Sequence, residues 1–287
     1  MSITSSCREM CGSVIHRAGS RSLEVNSPVY GEEMASVSSD FERHCEQILS
    51  QTDLLLTHVA HAATDTPIPT CPGWNLGNLL RHLAGTHAWA TGVVAARALT
   101  PVPEDQVNDV AGPDDEDPAA LAARCAENAG HLAATLREAG PDTTVWTAGP
   151  GGTTAFWARR MAHETAVHRA DAAFATGARY ALDGWAGVDA LDEWIGFSTS
   201  PEAPPLRGPG WTLHFSAGEG AEWFVDLTGP SPVWRRGGGD AAVSVRGGAT
   251  DLLLLMYGRP VPEGRVEVRG DGELFARWRA GAAFWLE

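Results

Sequence analysis

The chain has 287 residues, 44% of them apolar and 20% charged, with a formal net charge of −15. That composition supports a sizeable core in one large or two ordinary domains, and it argues against nucleic acid or an anionic membrane surface as the main partner. All 21 basic residues are arginine, the ordinary mark of a high-GC genome, and the lack of lysine excludes a Schiff-base amine, a pyridoxal phosphate anchor and a Walker phosphate loop.

The first 33 residues are Ser-rich, mixed in charge and without sustained periodicity, so residues 1–33 are expected to be a disordered or non-native extension. They lack the apolar core of a secretory signal, and no apolar run approaches the ~18 residues of a membrane span. The five cysteines (Cys7, Cys11, Cys45, Cys71, Cys125) contain no CxxC pair and read as reduced thiols. These features together predict a cytoplasmic protein.

From Ser38 to about Ala63 the apolar residues Phe41, Cys45, Ile48, Leu49, Leu55, Leu56 and Val59 recur at helical spacing. Pro67, Pro69, Pro72 and Gly73 interrupt, and Asn75 is a good cap for a second helix through Leu79, Leu80, Leu83, Trp89 and Val93. An acidic, Pro-rich loop follows at 100–117, and Pro118 opens a third helix that ends near Gly140. Thr153 or Thr154 caps a fourth helix ending near Gly177, and a short helix is expected around Trp185–Phe197. The Pro/Gly-rich stretch 201–210 reads as a linker between a bundle (34–200) and a second domain (211–287). There Trp211–Phe215 and Glu222–Leu227 alternate as a hairpin, Ala241–Arg246 and Val266–Val268 read as strands, and Asp251–Tyr257 and Gly272–Phe284 read as helices. The expected fold is therefore an all-α four-helix bundle followed by a small α+β domain.

The fourth helix carries the most informative residues, Glu164 and His168. Four helical steps turn about 400°, so the two side chains project from one face and supply two-thirds of a three-ligand divalent metal site. His163 and His168 are five apart, about 140° around the helix, so the zinc-protease motif HExxH is excluded. His82, among Leu79, Leu80 and Leu83, is the preferred third ligand; His87 lies about 140° from it on the same helix, so only one of the two can join. His58 and His61, three apart, can share a face of the first helix but have no carboxylate partner; His163 points sideways, His131 and His214 have no constellation around them, and Asp171 can orient the His168 imidazole or pair with an arginine. An i,i+4 Glu–His pair also occurs as a simple ion pair. Inward burial of Glu164 would favour a cation partner. Three ligands of His, His and Glu leave the open fourth position of a catalytic zinc. The reading requires the three side chains to converge to within about 8 Å.

Cys71-Pro72-Gly73-Trp74, His82-Leu83-Ala84-Gly85, and His163-Glu164-Thr165-Ala166-Val167-His168-Arg169-Ala170-Asp171 together resemble the mycothiol-dependent maleylpyruvate isomerase family of the DinB-like superfamily. The stretches Val243–Arg259 and Val268–Asp271 are similar to that family's sterol-carrier-like second domain, and the resemblance covers about 36–287. It implies a DinB-like four-helix bundle with zinc on His82, Glu164 and His168, and mycothiol as a cosubstrate thiol. It also implies that an arginine of the second domain, Arg246 or Arg259, contributes to the active site as a carboxylate clamp. In the family reaction a thiolate adds to a cis double bond, rotation follows, and elimination returns the trans isomer.

The resemblance thus predicts a cytoplasmic actinobacterial isomerase. Its partners would be a small unsaturated or electrophilic acid and a low-molecular-weight thiol, with no nucleic acid and no membrane, in a monomer or weak homodimer. Two alternatives stand beside it: a mycothiol S-transferase or natural-product tailoring enzyme on the same scaffold, and a non-catalytic small-molecule or lipid-binding protein. The tryptophans Trp74, Trp89, Trp146, Trp157, Trp185 and Trp194 are read as packing residues.

Overall fold

The computed structural model describes residues 30–104, 107, 110–112, 116–204, 206–218 and 220–286, with side chains for those between 39 and 284. The chain forms two compact units, Met1–Tyr180 and Ala181–Glu287. No helix among the described residues is long and apolar enough to cross a membrane.

Among the described residues the first unit is built from four long helices, α1 (Tyr30–Val59), α2 (Leu76–Ala95), α3 (Pro118–Ala139) and α4 (Thr154–Thr176). Their packing follows from the apolar spacing: α1 lies against α4 and α3, and α2 against α3 and α4. Ile48, Val93, Leu132, Leu136, Trp157 and Met161 are among the side chains that meet in the core. Asn75 caps α2 as expected, in a reciprocal box with Asn78: each side chain accepts from the other residue's backbone N–H. Asp117 caps α3 one residue ahead of Pro118, and Gly177 closes α4 at φ 70°, in the left-handed region glycine tolerates.

Two boundaries differ from the sequence reading. Helix α1 starts at Tyr30 rather than Ser38, so the expected end of the extension at residue 33 falls inside a helix; the rest of that extension, 1–29, lies outside the described residues. Helix α5 (Gly184–Ser198) falls within the range expected for the bundle, but it packs on the two helices of the second unit. The division therefore falls at Tyr180/Ala181, ahead of the expected 201–210 linker. Contacts between apolar faces define a unit, whereas Pro/Gly content marks only where regular structure stops.

The second unit has a mixed sheet of order β3-β2-β1-β4-β5, with β1 (Thr212–Ala217), β2 (Glu222–Asp226), β3 (Val233–Arg236), β4 (Val243–Gly247) and β5 (Val266–Gly270). Strands β1 and β4 run parallel and the other pairs are antiparallel. Period-two alternation puts Leu213, Phe215, Trp223, Val225, Val243 and Val245 in the core. There Phe215 meets Trp278 of α7 (Gly272–Ala282) at 5.0 Å between ring centroids. Helix α6 (Ala249–Met256) completes this layer. Strand β3 was not foreseen. It is a short edge strand whose Val233, Arg235 and Arg236 are exposed, so no apolar alternation marks it.

Candidate metal centre

Helix α4 is the axis of the site. From Thr154 to Ala173 it is buried on nearly every face, and the buried set includes Arg160, His163, Glu164, His168, Arg169 and Asp171. A helix carrying that much charge is buried only where each polar group finds a partner. Glu164 finds three. Its Oε1 lies 3.2 Å from His82 Nε2 and 3.1 Å from His168 Nε2, while its Oε2 accepts from Arg160 at 2.5 Å. The ligand atoms of His82, Glu164 and His168 all lie within 4.8 Å of one another.

Those spacings suit a metal. Bonds of about 2.0–2.1 Å to a tetrahedral ion set its ligand atoms about 3.3 Å apart. The rings are also held from behind. His168 Nδ1 meets Asp171 Oδ2 at 2.9 Å, and Thr70 Oγ1 donates to the other Asp171 oxygen at 2.6 Å. His82 Nδ1 faces the Val107 carbonyl at 3.4 Å.

His82 therefore stands between two acceptors. Either neutral tautomer leaves a ring lone pair aimed at an oxygen lone pair, at Val107 or at Glu164. Protonating both nitrogens would remove the conflict, but burial and the neighbouring His168 charge push the His82 pKa down, outweighing the opposing pull of Glu164. A cation between Nε2 and Oε1, with Nδ1–H donating to Val107, satisfies every group. The donor set fits a divalent ion.

Without an ion the network is held by charge. Burial alone would raise the Glu164 pKa, but hydrogen bonds from His168 and His82 and the Arg160 charge hold it well below the ordinary carboxylate range. Burial opposes protonation of His168, yet Asp171 and Glu164 outweigh it and raise its pKa to about 9. Since that folded value exceeds the ordinary 6.5, the stabilisation from charged His168 is complete below about pH 6.5 and fades as pH rises through about 9. Urea unfolding of metal-free protein should show a stability gap between wild type and His168→Gln that narrows from about pH 6 to about pH 10. An equal gap at both values would refute this coupling.

The segment ahead of α2 adds a cover. Trp74 N–H donates to the Cys71 carbonyl at 3.0 Å across Pro72 and Gly73, and Gly73 has φ 85°. Proline followed by positive-φ glycine is the chemistry of a type II turn. The turn sets the Trp74 indole 5.1 Å from the His82 ring and nearly parallel to His168, 6.2 Å away.

The remaining candidates lie elsewhere. His87 is fully buried and pairs with Thr165 Oγ1 at 2.9 Å; burial lowers its pKa to about 4. His163 packs edge-on against His44, His61 and His131 are exposed, and His214 lies 3.5 Å from Glu222. Cys45 and Cys125 are free and buried, which pushes both thiols up to about 12 and makes them poor nucleophiles. Cys71 is disulfide-bonded, which corrects the reduced-thiol expectation at that position. In the second unit Arg246 is exposed on β4, in register with Ser216 and Glu267. Arg259 is buried, donates to the Tyr257 carbonyl at 2.7 Å and lies over the Tyr257 ring.

Sequence reasoning missed Arg160, Thr70 and the Val107 carbonyl. Only Arg160 carried a signal: it precedes Glu164 by four residues, as Glu164 precedes His168, so all three share one stripe of α4.

Comparison with known proteins bears on both units. The mycothiol maleylpyruvate isomerase N-terminal domain matches residues 45–173, and the C-terminal domain of the same family matches 165–277. A crystal structure of the mycothiol-dependent maleylpyruvate isomerase is similar at TM-score 0.57 and 16% identity, over 79% of this chain and 92% of that one. A histidine-to-alanine mutant of a mycothiol-dependent maleylpyruvate isomerase is similar at TM-score 0.54 and 16% identity, over 75% of this chain and 87% of that one. At that identity the likeness carries the fold. No curated protein matches the chain.

Proposed function

Because this chain belongs to the mycothiol-dependent maleylpyruvate isomerase family, we propose that it is a zinc-dependent, mycothiol-assisted cis–trans isomerase acting on a small unsaturated acid, with the ion held by His82, Glu164 and His168. One observation carries the metal part: both imidazole Nε2 atoms converge on one Glu164 oxygen, at 3.2 and 3.1 Å, while each ring has an acceptor waiting at Nδ1. A divalent ion bound there supplies Lewis-acid charge that holds a thiol as its thiolate near neutral pH. The chain's own groups do the rest. Asp171 and Val107 keep the Nδ1 protons and so aim the Nε2 lone pairs. Arg160 balances the Glu164 charge, and the Trp74 indole takes the place of water against both rings.

A guanidinium of the second unit is proposed to clamp the substrate carboxylate, with Arg246 and Arg259 as the two candidates. Alanine at the acting position is expected to raise KM for the acid by about tenfold or more, as for a lost charge-assisted pair. Unchanged KM in both Arg246→Ala and Arg259→Ala would remove the clamp from the proposal.

The deciding experiment is metal analysis of purified protein followed by product analysis with mycothiol and maleylpyruvate. Stoichiometric zinc with the trans isomer formed and thiol recovered is the expected result. Thiol consumed into an adduct would replace isomerase by S-transferase. A second reading, a non-catalytic binding protein, is favoured by the Arg160–Glu164 pair, which balances the carboxylate without any ion. Metal-free protein that leaves the substrate unchanged would establish that reading instead.

A further inference from the structure

Glu164 divides its two oxygens between different duties. Oε1 faces both imidazoles, and Oε2 is engaged by Arg160 one turn back on α4, at 2.5 Å. The Arg160 side chain is only 10% exposed and that of Glu164 only 4%. A zinc-bound carboxylate has two modes open to it, one oxygen or both. The second mode requires Oε2 to swing toward the ion and give up its charge-assisted hydrogen bond from the Arg160 guanidinium.

We propose that Arg160 is a positioning residue that fixes Glu164 as a one-oxygen ligand and so keeps a coordination position open for the thiol. This rests on the metal reading above and goes beyond it, since it concerns how many positions the protein leaves vacant. It also explains why a buried arginine stands beside a proposed cation site, where simple repulsion would exclude it. The guanidinium offsets the negative charge of Glu164, so the loaded site keeps a net positive charge that attracts an anionic sulfur. Arg160, Glu164 and His168 follow one another at four-residue steps, so a single stripe of α4 carries the restraint, the carboxylate and an imidazole.

Cobalt(II) loaded into the full-length protein in place of zinc reports the coordination number by its visible absorption, since four-coordinate sites absorb strongly and five-coordinate sites weakly. Wild-type protein is expected to show the intense four-coordinate bands. Arg160→Met is expected to lose them while still binding the ion, because the freed Oε2 joins the coordination sphere. Where the methionine variant does not fold, Arg160→Gln gives the same readout with a polar side chain. Intense bands retained in a folded, cobalt-loaded variant would overturn the role given to Arg160. Wild-type protein that takes up no cobalt would overturn the metal reading itself, so the two failures are distinct.

Discussion

Alanine at His82 is expected to abolish stoichiometric zinc binding, and with it all thiol-dependent turnover. Zinc on a structural four-ligand site contributes about 10–16 kcal/mol in total, so one ligand accounts for about 2.5–4 kcal/mol, or roughly seventy- to seven-hundredfold in affinity. The buried histidines of the first unit outside this site are engaged elsewhere. His87, five residues on, is committed to Thr165, and His163 packs on His44. Titration against a chelating dye measures the effect, with the exposed His61→Ala as a control that keeps full affinity. Undiminished zinc in His82→Ala would end the proposal that this histidine is a ligand.

Trp157→Ala is expected to destabilise the first unit by about 3–5 kcal/mol, the usual cost of emptying a large aromatic site. Trp157 is 1% exposed on α4, and its ring meets Trp89 at 5.0 Å, Phe156 at 5.3 Å and Trp146 at 5.8 Å. Its indole N–H also donates to the Trp146 carbonyl at 2.8 Å. Trp89 comes from α2, far from Trp157 in the chain, so the cavity left by alanine cannot close without moving α2 against α4. Trp157→Phe retains part of the ring packing but not the donor, and should fall between wild type and alanine. Urea unfolding gives the numbers; a loss below about 1 kcal/mol for alanine would show that the cluster is not a structural anchor.

Much of this was legible in the chain because local chemistry and tertiary demand agree. Asn75 and Gly177 end their helices where capping and left-handed backbone require. Glu164 and His168 share a face by helical period alone, and the same arithmetic allowed only one of His82 and His87. What stayed hidden depended on neighbours remote in sequence. The one signal for Arg160, its four-residue spacing from Glu164, is masked because an arginine in a sequence ordinarily reads as a solvated charge. The Val107 carbonyl could not be found at all, since any residue supplies a backbone oxygen. Helix α5 was grouped with the wrong unit because 201–210 carries the stronger break in composition. Strand β3 was missed because its arginines face outward, and only pairing with β2 makes it a strand.

The segment between α1 and α2 is stitched to α4 by the Thr70–Asp171 hydrogen bond, and its Trp74 indole shields both imidazoles. An ion seated beneath such a flap departs no faster than the flap lifts. If the proposed ion binds there, its occupancy would be decided when the bundle first closes, and later swings in free-metal supply would pass without displacing it.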